Sequence, residues 1–212
     1  MVHADASNFA EGVTKEEAYE QVLLQAEGLF DEQRNWVSEL LALIPHFAFA
    51  SCALALLLTM SVWHSNLANA ASLLWHAYKS LPSPSSQVNW AGFYTLDPQK
   101  TAKPQLILGP FQGKVACQTI VFGRGVCGTA ASARATQLVP DVEAFPGHIA
   151  CDGDSKSEIV VPVIVGDGEG EGEAGRVVAI IDVDCAELNG FDEVDKRYLE
   201  RLAALLARSC DW

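Results

Sequence analysis

Three cysteines, Cys117, Cys127 and Cys151, lie close together in the middle of this chain and could carry redox chemistry. A thiolate that attacks an oxidised substrate becomes a sulfenic acid, and a second thiol condenses with it to give a disulfide. Three thiols in one region therefore predict a nucleophile with one or two resolving partners. The alternative is that all three are small buried hydrophobic side chains, as free cysteines often are.

A second group of residues is acidic and consists of Glu158, Asp182 and Asp184. Because successive residues of a strand point to opposite faces, Asp182 and Asp184 share one face of a predicted strand. Crowded carboxylates raise one another's pKa, so one of them can stay protonated near neutral pH and donate a proton. The ionised ones can pair with an ammonium group. The alternative is a solvated acidic face, and the sequence does not indicate which carboxylate is the acid.

Two aromatic residues, Trp90 and Tyr94, lie on a predicted strand at a spacing that points both to the same side. They could form an aromatic wall for an apolar part of a ligand. The alternative is that both are core residues of the sheet. Further along, the backbone amides of residues 125–129 open a predicted helix, and such amides could hold a carboxylate.

The charge of the chain argues against two classes of partner. Of its 212 residues, 27 are acidic and 14 are basic, which gives a formal net charge of −13. Such a surface repels phosphate backbones and anionic membranes, so neither nucleic acid nor a membrane is expected as a partner.

The cysteine pattern indicates the compartment and argues against a metal site. The chain has six cysteines, no CxxC pair, and a polar, acidic start instead of a signal sequence. This favours a reducing cytoplasm, with the nucleus as a second compartment. His148 and Cys151 have metal-ligand spacing, but no second pair accompanies them, so no metal site is predicted.

The elements that position these residues predict an α+β fold, an antiparallel sheet with helices packed on one face. A capping box at Thr14 starts a helix that runs to about Gln33. Phe191 and Asp192 open a closing helix, and residues 129–134 form a short one. Strands are predicted at residues 88–96, 105–108, 115–122, 138–139, 158–165 and 176–184. Residues 1–14 are predicted to be flexible, and residues 15–212 to form one domain.

Residues 38–64 interrupt this pattern, and within them residues 47–62 form a stretch of apolar and small residues without charge. The stretch is shorter than the roughly 20 residues that a membrane span needs, and no basic cluster flanks it. If residues 38–64 are removed, Trp36, Leu67 and Leu74 fall on one amphipathic helical stripe. We interpret the segment as an atypical insert within a helix, either translated non-coding sequence such as a retained intron or an error of the gene model. A membrane anchor and an ordinary buried helix are the alternatives.

Five short motifs occur along the chain in a specific order. They are NWAGFY at 89–94, GRGVCGT at 123–129, GHIACD at 147–152, SEI at 157–159 and IDVD at 181–184. Each is weak alone, but together they resemble the free methionine-(R)-sulfoxide reductases, which are small GAF-domain enzymes. The resemblance covers about residues 15–36 and 65–210. The insert at 38–64 has no counterpart in that family, and the Gly-rich loop at 166–175 looks expanded.

This resemblance implies a GAF-like fold and an oxidoreductase that reduces free L-methionine (R)-sulfoxide to methionine. It implies Cys151 as the nucleophile and either Cys117 or Cys127 as the resolving thiol. Cys117 is preferred for the stable disulfide, and Cys127 is kept as a relay. The residues implied to bind substrate are Trp90, Tyr94, Glu158, Asp182 and Asp184.

The same resemblance implies thioredoxin as the electron donor and no bound cofactor. Homodimers are common in this fold family, although the sequence itself is silent on oligomeric state. Two rival functions remain. One is a GAF-type sensory module that binds a small ligand without turnover, and the other is a membrane-tethered interaction protein that rests only on residues 38–64.

Overall fold

The computed structural model describes residue 9 and residues 12–42, 66–149, 151–166 and 175–212; of residues 31–42 only the backbone is described. The insert from residue 43 onward and most of the Gly-rich loop lie outside the described residues. The interpretations of both segments therefore stay predictions. Within the described part of the chain, no helix combines the length and the apolar character needed to cross a membrane.

Six antiparallel strands form a single sheet in the order β3-β2-β1-β6-β5-β4. They are β1 (Val88–Leu96), β2 (Gln105–Gly113), β3 (Thr119–Val121), β4 (Gln137–Val139), β5 (Ser157–Val165) and β6 (Arg176–Cys185). The long strands β1 and β6 pair at the centre of the sheet. The predicted α+β class with an antiparallel sheet is thereby confirmed.

Among the described residues, four α-helices cover the two faces of this sheet. They are α1 (Lys15–Ala42), α2 (residues 66–80), α3 (Gly125–Ala133) and α4 (Glu193–Ser209). Helices α1, α2 and α4 share one hydrophobic core with one face, as predicted. Helix α3 lies on the opposite face, where Val126, Ala130 and Ala131 pack into a second core. That opposite face also carries the candidate site. Helix α3 therefore belongs to the site and not to the main helical layer, which consists of α1, α2 and α4.

Helix α1 begins as predicted and ends later than predicted. The capping box is present, because the Glu17 amide donates to Thr14 Oγ1 at 3.2 Å and the Thr14 amide donates to Glu17 Oε2 at 2.8 Å. The helix continues to Ala42 instead of ending near Gln33. No Gly or Pro occurs after Gln33 until Pro45, so nothing local stops the helix before that point.

The region between β2 and β3 differs from the predicted strands. Strand β2 extends to Gly113 instead of ending at residue 108, because β1 remains paired with it as far as the Trp90–Gly113 pair. The predicted strand at 115–122 is reduced to Thr119–Val121, which pairs with β2 at the edge of the sheet. The residues between the two strands form a loop, and this loop carries Cys117.

One buried carboxylate ties the three helices of the main layer together. Asp195 of α4 is fully buried and accepts hydrogen bonds from the Tyr19 hydroxyl of α1 at 2.8 Å and the Tyr78 hydroxyl of α2 at 3.3 Å. Its other oxygen lies 2.6 Å from Lys15 Nζ. Burial raises the pKa of Asp195, and the ammonium of Lys15 opposes that rise. The ion pair and both hydroxyls therefore depend on one side chain.

Replacing Asp195 with alanine is expected to lower the free energy of unfolding by about 3–5 kcal/mol. The substitution removes a buried acceptor of two tyrosine hydroxyls and leaves the Lys15 ammonium paired with the more exposed Asp192. Urea unfolding followed by circular dichroism measures the loss. Asp211→Ala removes an exposed aspartate and should change stability by less than about 0.5 kcal/mol. Equal stability of the two variants would refute the central role of Asp195.

Candidate active site

A cavity of about 330 Å³ lies on the α3 side of the sheet. Its wall is formed by the start of α3, by the loop between β4 and β5, and by side chains of β5 and β6. Of the residues that the sequence selects, five line it: Cys127, Cys151, Glu158, Asp182 and Asp184. Residues that are far apart in the chain therefore meet at one place.

A disulfide joins Cys117 to Cys151, with their Cα atoms 5.5 Å apart at a sequence separation of 34. Cys117 lies on the β2–β3 loop and is half-buried, whereas Cys151 lies on the β4–β5 loop and is exposed. This is the pair that the sequence favours for a stable disulfide. Which of the two cysteines attacks a substrate stays a prediction.

An ion pair links the same two loops. Lys114 precedes Cys117, and its Nζ lies 2.5 Å from Asp154 Oδ2 and 3.5 Å from Asp152 Oδ2. Both acids follow Cys151 on the other loop. Lys114 and Asp154 are well exposed, so each contact contributes little to stability. Their combined effect is to favour the loop arrangement in which Cys117 and Cys151 can meet.

Strand β1 supports the cysteine loops through its first residues. Asn89 Nδ2 donates to Ser155 Oγ at 3.0 Å and to Asp152 Oδ2 at 3.4 Å. The indole N–H of Trp90 donates to the carbonyl oxygen of Lys114 at 3.1 Å. These contacts attach both loops to the central strand of the sheet, which positions the disulfide at the mouth of the cavity.

Cys127 has a different environment from the other two cysteines. It is free and buried in the first turn of α3, and its thiol donates to Glu158 Oε1 at 3.3 Å. Burial raises the pKa of the Cys127 thiol well above its usual range, and the neighbouring Asp182 and Glu158 add to the rise. Because the thiolate is the nucleophilic form, this environment disfavours attack by Cys127, and its role as a relay stays a prediction.

The three predicted carboxylates form one cluster. Glu158 of β5 is paired with Asp184 of β6, and Asp182 lies one pleat further along the same face. Burial raises the pKa of Asp182 to about 7. The pKa values of Glu158 and Asp184 are also raised well above their ordinary values, first by burial and then by Asp182. The cluster therefore retains protons at neutral pH.

The two predicted aromatic residues lie on the expected face but not in the cavity wall. Trp90 is paired with Asp184 across β1 and β6, so its side chain shares the face of the carboxylates. Trp90 and Tyr94 stack with ring centroids 5.7 Å apart, and both are buried in the second core. The Trp90 ring extends over Gly92, where a Cβ would come within 2.7 Å of it. An aromatic wall for the ligand stays a prediction.

The N-terminus of α3 faces the cavity. The helix begins at Gly125 instead of at residue 129, and the Arg124 side chain does not cap it. Arg124, Gly125 and Val126 all line the cavity. The first amides of a helix have no intrahelical acceptor and attract anions, so this wall is suited to a carboxylate.

Three residues at the site have no role in the predictions from sequence. Asn89 and Arg124 occur inside two of the quoted motifs, so position in a motif is a signal that could have found them. Ser155 lies between motifs and carries no such signal. It lines the cavity and contacts both Asn89 and Asp184, and its part becomes visible only in the fold.

The chain is similar to proteins of known family. A family model described as GAF domain matches residues 68–209. A Saccharomyces cerevisiae protein named free methionine-R-sulfoxide reductase is 50% identical over 208 residues, which cover 98% of this chain and 94% of the relative. A solved structure of a GAF domain is 48% identical with a TM-score of 0.78, covering 100% of this chain and 98% of that one. The free methionine-R-sulfoxide reductase of Neisseria meningitidis, solved in complex with its substrate, is 33% identical with a TM-score of 0.68, covering 96% of this chain and 95% of that one.

Proposed function

Because this chain belongs to the GAF-domain family and, within it, to the free methionine-R-sulfoxide reductases, we propose that it reduces free L-methionine (R)-sulfoxide to L-methionine. One observation carries the proposal. A single cavity is lined both by Cys151, which takes part in a disulfide, and by a cluster of buried carboxylates. A redox-active sulfur and a group that can bind a cation therefore face the same cavity.

The carboxylate cluster binds the ammonium group of the substrate. Glu158, Asp182 and Asp184 present buried acidic oxygens to the cavity, and Asp182 Oδ1 has no hydrogen-bond partner among the described residues. An ammonium group supplies the missing donor and favours the ionised state of the carboxylate that it contacts. A peptide-bonded methionine sulfoxide lacks this group, so the site selects the free amino acid.

The carboxylate group of the substrate lies at the N-terminus of α3. The amides of Gly125 and Val126 and the guanidinium of Arg124 offer donors for the substrate carboxylate. Two anchored groups on one chiral carbon fix the direction of the side chain. The sulfoxide sulfur is then presented to Cys151 from one side, which is the basis for selecting one sulfoxide epimer.

Reduction begins when the Cys151 thiolate attacks the sulfoxide sulfur. The bond between the substrate sulfur and its oxygen breaks, the oxygen takes one proton and bonds to Cys151 Sγ, and Cys151 becomes a sulfenic acid while methionine leaves as a thioether. The substrate sulfur gains two electrons that Cys151 loses. The proton comes from the carboxylate cluster, whose members keep protons at neutral pH.

Cys117 resolves the sulfenic acid. Its thiolate attacks Cys151 Sγ, a disulfide forms, and the oxygen leaves as water with one further proton. The disulfide between these two residues represents the product of this step. Cys127, held as a thiol by burial and by Glu158, contributes hydrogen bonding to the pocket and not the resolving step.

Thioredoxin returns the enzyme to its reduced state by disulfide exchange. Cys151 is exposed at the mouth of the cavity, so a protein dithiol can reach the Cys117–Cys151 disulfide. The cycle needs no bound cofactor, because all electrons pass through thiols. The cytoplasm is the proposed compartment, and a homodimer is the proposed assembly.

A coupled assay tests this function. Purified protein is mixed with thioredoxin, thioredoxin reductase and NADPH, and NADPH loss is followed with each epimer of free methionine sulfoxide. Turnover is expected with the R epimer only, and N-acetylation of the substrate should lower kcat/KM at least about 10²-fold by removing the ammonium. Binding of the R epimer without turnover, with dithiothreitol as well as thioredoxin, would favour the sensory module instead. Turnover with dithiothreitol alone would overturn only the choice of donor.

A further inference from the structure

Three potential metal ligands converge in the cavity from three different elements. Cys127 of α3, Glu158 of β5 and Asp182 of β6 each offer one ligand atom, and these atoms lie within 4.8 Å of one another. The Cys127 Sγ and Glu158 Oε1 atoms are 3.3 Å apart. All three residues are buried. Side chains so far apart in sequence do not form a recognisable metal motif, which is why spacing alone predicts no metal site.

A second observation indicates that this cluster has room for a cation. Asp182 is 5% exposed, its Oδ1 atom has no hydrogen-bond partner among the described residues, and the residue lines the cavity. A buried carboxylate oxygen without a donor is costly unless something binds it. The cavity also gives a path from solvent, so an ion can enter and leave.

We infer that this cluster is a binding site for Zn²⁺, held by the Cys127 sulfur and by carboxylate oxygens of Glu158 and Asp182, with water as the fourth ligand. Zinc accepts sulfur and oxygen ligands in a tetrahedron at about 2.0–2.3 Å, which places neighbouring ligand atoms roughly 3–4 Å apart. The three side chains need only small adjustments to reach that spacing. Mg²⁺ and Ca²⁺ prefer oxygen ligands throughout, so the thiol favours zinc over both.

Zinc binding exchanges protons for the ion. The covalent S–H bond of Cys127 is replaced by an S–Zn bond. The thiol proton goes to solvent, together with any proton held on Glu158 or Asp182. No electron is transferred. The carboxylates that zinc uses are those proposed to bind the substrate ammonium, so zinc excludes the substrate. This inhibitory consequence rests on the proposed function, whereas the binding itself does not.

In the oxidised protein, a metal–thiolate signal cannot come from Cys117 or Cys151. When Cys117 and Cys151 form their disulfide, neither sulfur can act as a thiolate ligand. Among the described residues, the cysteines outside the disulfide are Cys127, Cys185 and Cys210, and only Cys127 lines the cavity. A metal–thiolate signal from the oxidised protein that depends on Cys127 therefore reports this cluster.

Co²⁺ is the probe, because cobalt bound to a thiolate shows a near-ultraviolet charge-transfer band that zinc lacks. The oxidised protein is titrated with Co²⁺ and then with Zn²⁺. One Co²⁺ per chain is expected to give the band, and Zn²⁺ is expected to abolish it. Cys127→Ser should remove the band and weaken Zn²⁺ binding, measured by calorimetry, at least about 10-fold. Cys210→Ser, which changes a buried cysteine outside the cavity, should retain both.

A second variant keeps the test decisive if Cys127→Ser fails to fold. Asp182→Asn retains the thiol, so the band should persist, but Co²⁺ should bind at least about 10-fold more weakly. Absence of the band in the oxidised wild-type protein, its persistence in Cys127→Ser, or unchanged affinity in Asp182→Asn would overturn the zinc site. None of these results affects the coupled turnover assay, so the two proposals fail independently.

Discussion

Replacing Cys151 with serine is expected to lower turnover of free methionine (R)-sulfoxide at least about 10³-fold, because a hydroxyl is a far weaker nucleophile than a thiolate. Steady-state NADPH consumption measures the loss. Cys210→Ser is the matched control, since it makes the same chemical change at a buried position outside the cavity. Its turnover should match the wild type within about twofold. Retained activity in Cys151→Ser would refute the nucleophile assignment.

A single-turnover experiment distinguishes the roles of Cys117 and Cys127. Cys117→Ser should form one methionine per chain and stop, leaving Cys151 as a sulfenic acid that a dimedone-type reagent can trap. Cys127→Ser should still form the Cys117–Cys151 disulfide, because the sulfur of Cys127 takes no part in it. If Cys127→Ser stopped after one turnover and Cys117→Ser did not, the resolving role would move to Cys127.

Replacing Asp182 with asparagine is expected to make the protein less active and more stable. The amide cannot pair with the substrate ammonium as a carboxylate does, and kcat/KM should fall about 10²-fold, mainly through a higher KM. The wild-type carboxylate lies buried beside Glu158 and Asp184, so its negative charge opposes folding. Function therefore maintains a charge at a place where stability alone would remove it.

The stability gain should depend on pH in a defined direction. In the folded protein the pKa of Asp182 is about 7, against an ordinary value of 3.8, so the folded state holds more protons between these two values. Its stability must then fall as pH rises through that window. Asp182→Asn removes this loss, and the gain should be roughly 1–4 kcal/mol at pH 8 and close to zero at pH 4.

Urea unfolding at both pH values checks this expectation. Asp211→Asn makes the same change at an exposed position and should leave stability unchanged at pH 4 and pH 8. A variant that is equally destabilised at both pH values would show that Asp182 is ionised and stabilised in the folded protein. That result would contradict the crowded carboxylate cluster.

Local sequence signals predict much of the fold. The bounds predicted for β1 agree with the structure, and the capping residues Thr14 and Asp192 start α1 and α4 where expected. These features depend on alternation and on hydrogen bonds between near neighbours, which the sequence displays directly. Strand ends at β2 and β3 are predicted less well, because they depend on how long the partner strand remains paired.

The candidate site is likewise predicted in part from local sequence, while the rest of it depends on the fold. The sequence indicates Glu158, Asp182 and Asp184 as a group, since two of them alternate on one strand and the third lies in the motif SEI at 157–159. It does not show that Trp90 and Tyr94 lie outside the cavity wall, because a strand pattern gives the face of a side chain but not what covers it. It also does not reveal Ser155, whose contacts come from distant elements.

The sequence by itself determined which reactive groups the chain contains, because residue types, charge and short-range spacing are written in it directly. Three thiols, a set of carboxylates and the order of five motifs already carry the family resemblance that implies sulfoxide reduction. Only the tertiary structure decided which of these groups lie together and which are buried. It brings Cys117 and Cys151 together through two loops, and it buries Cys127 beside Glu158 as a thiol. Proximity across 34 residues and the pKa of a buried group both depend on packing between distant segments, and local sequence does not encode them.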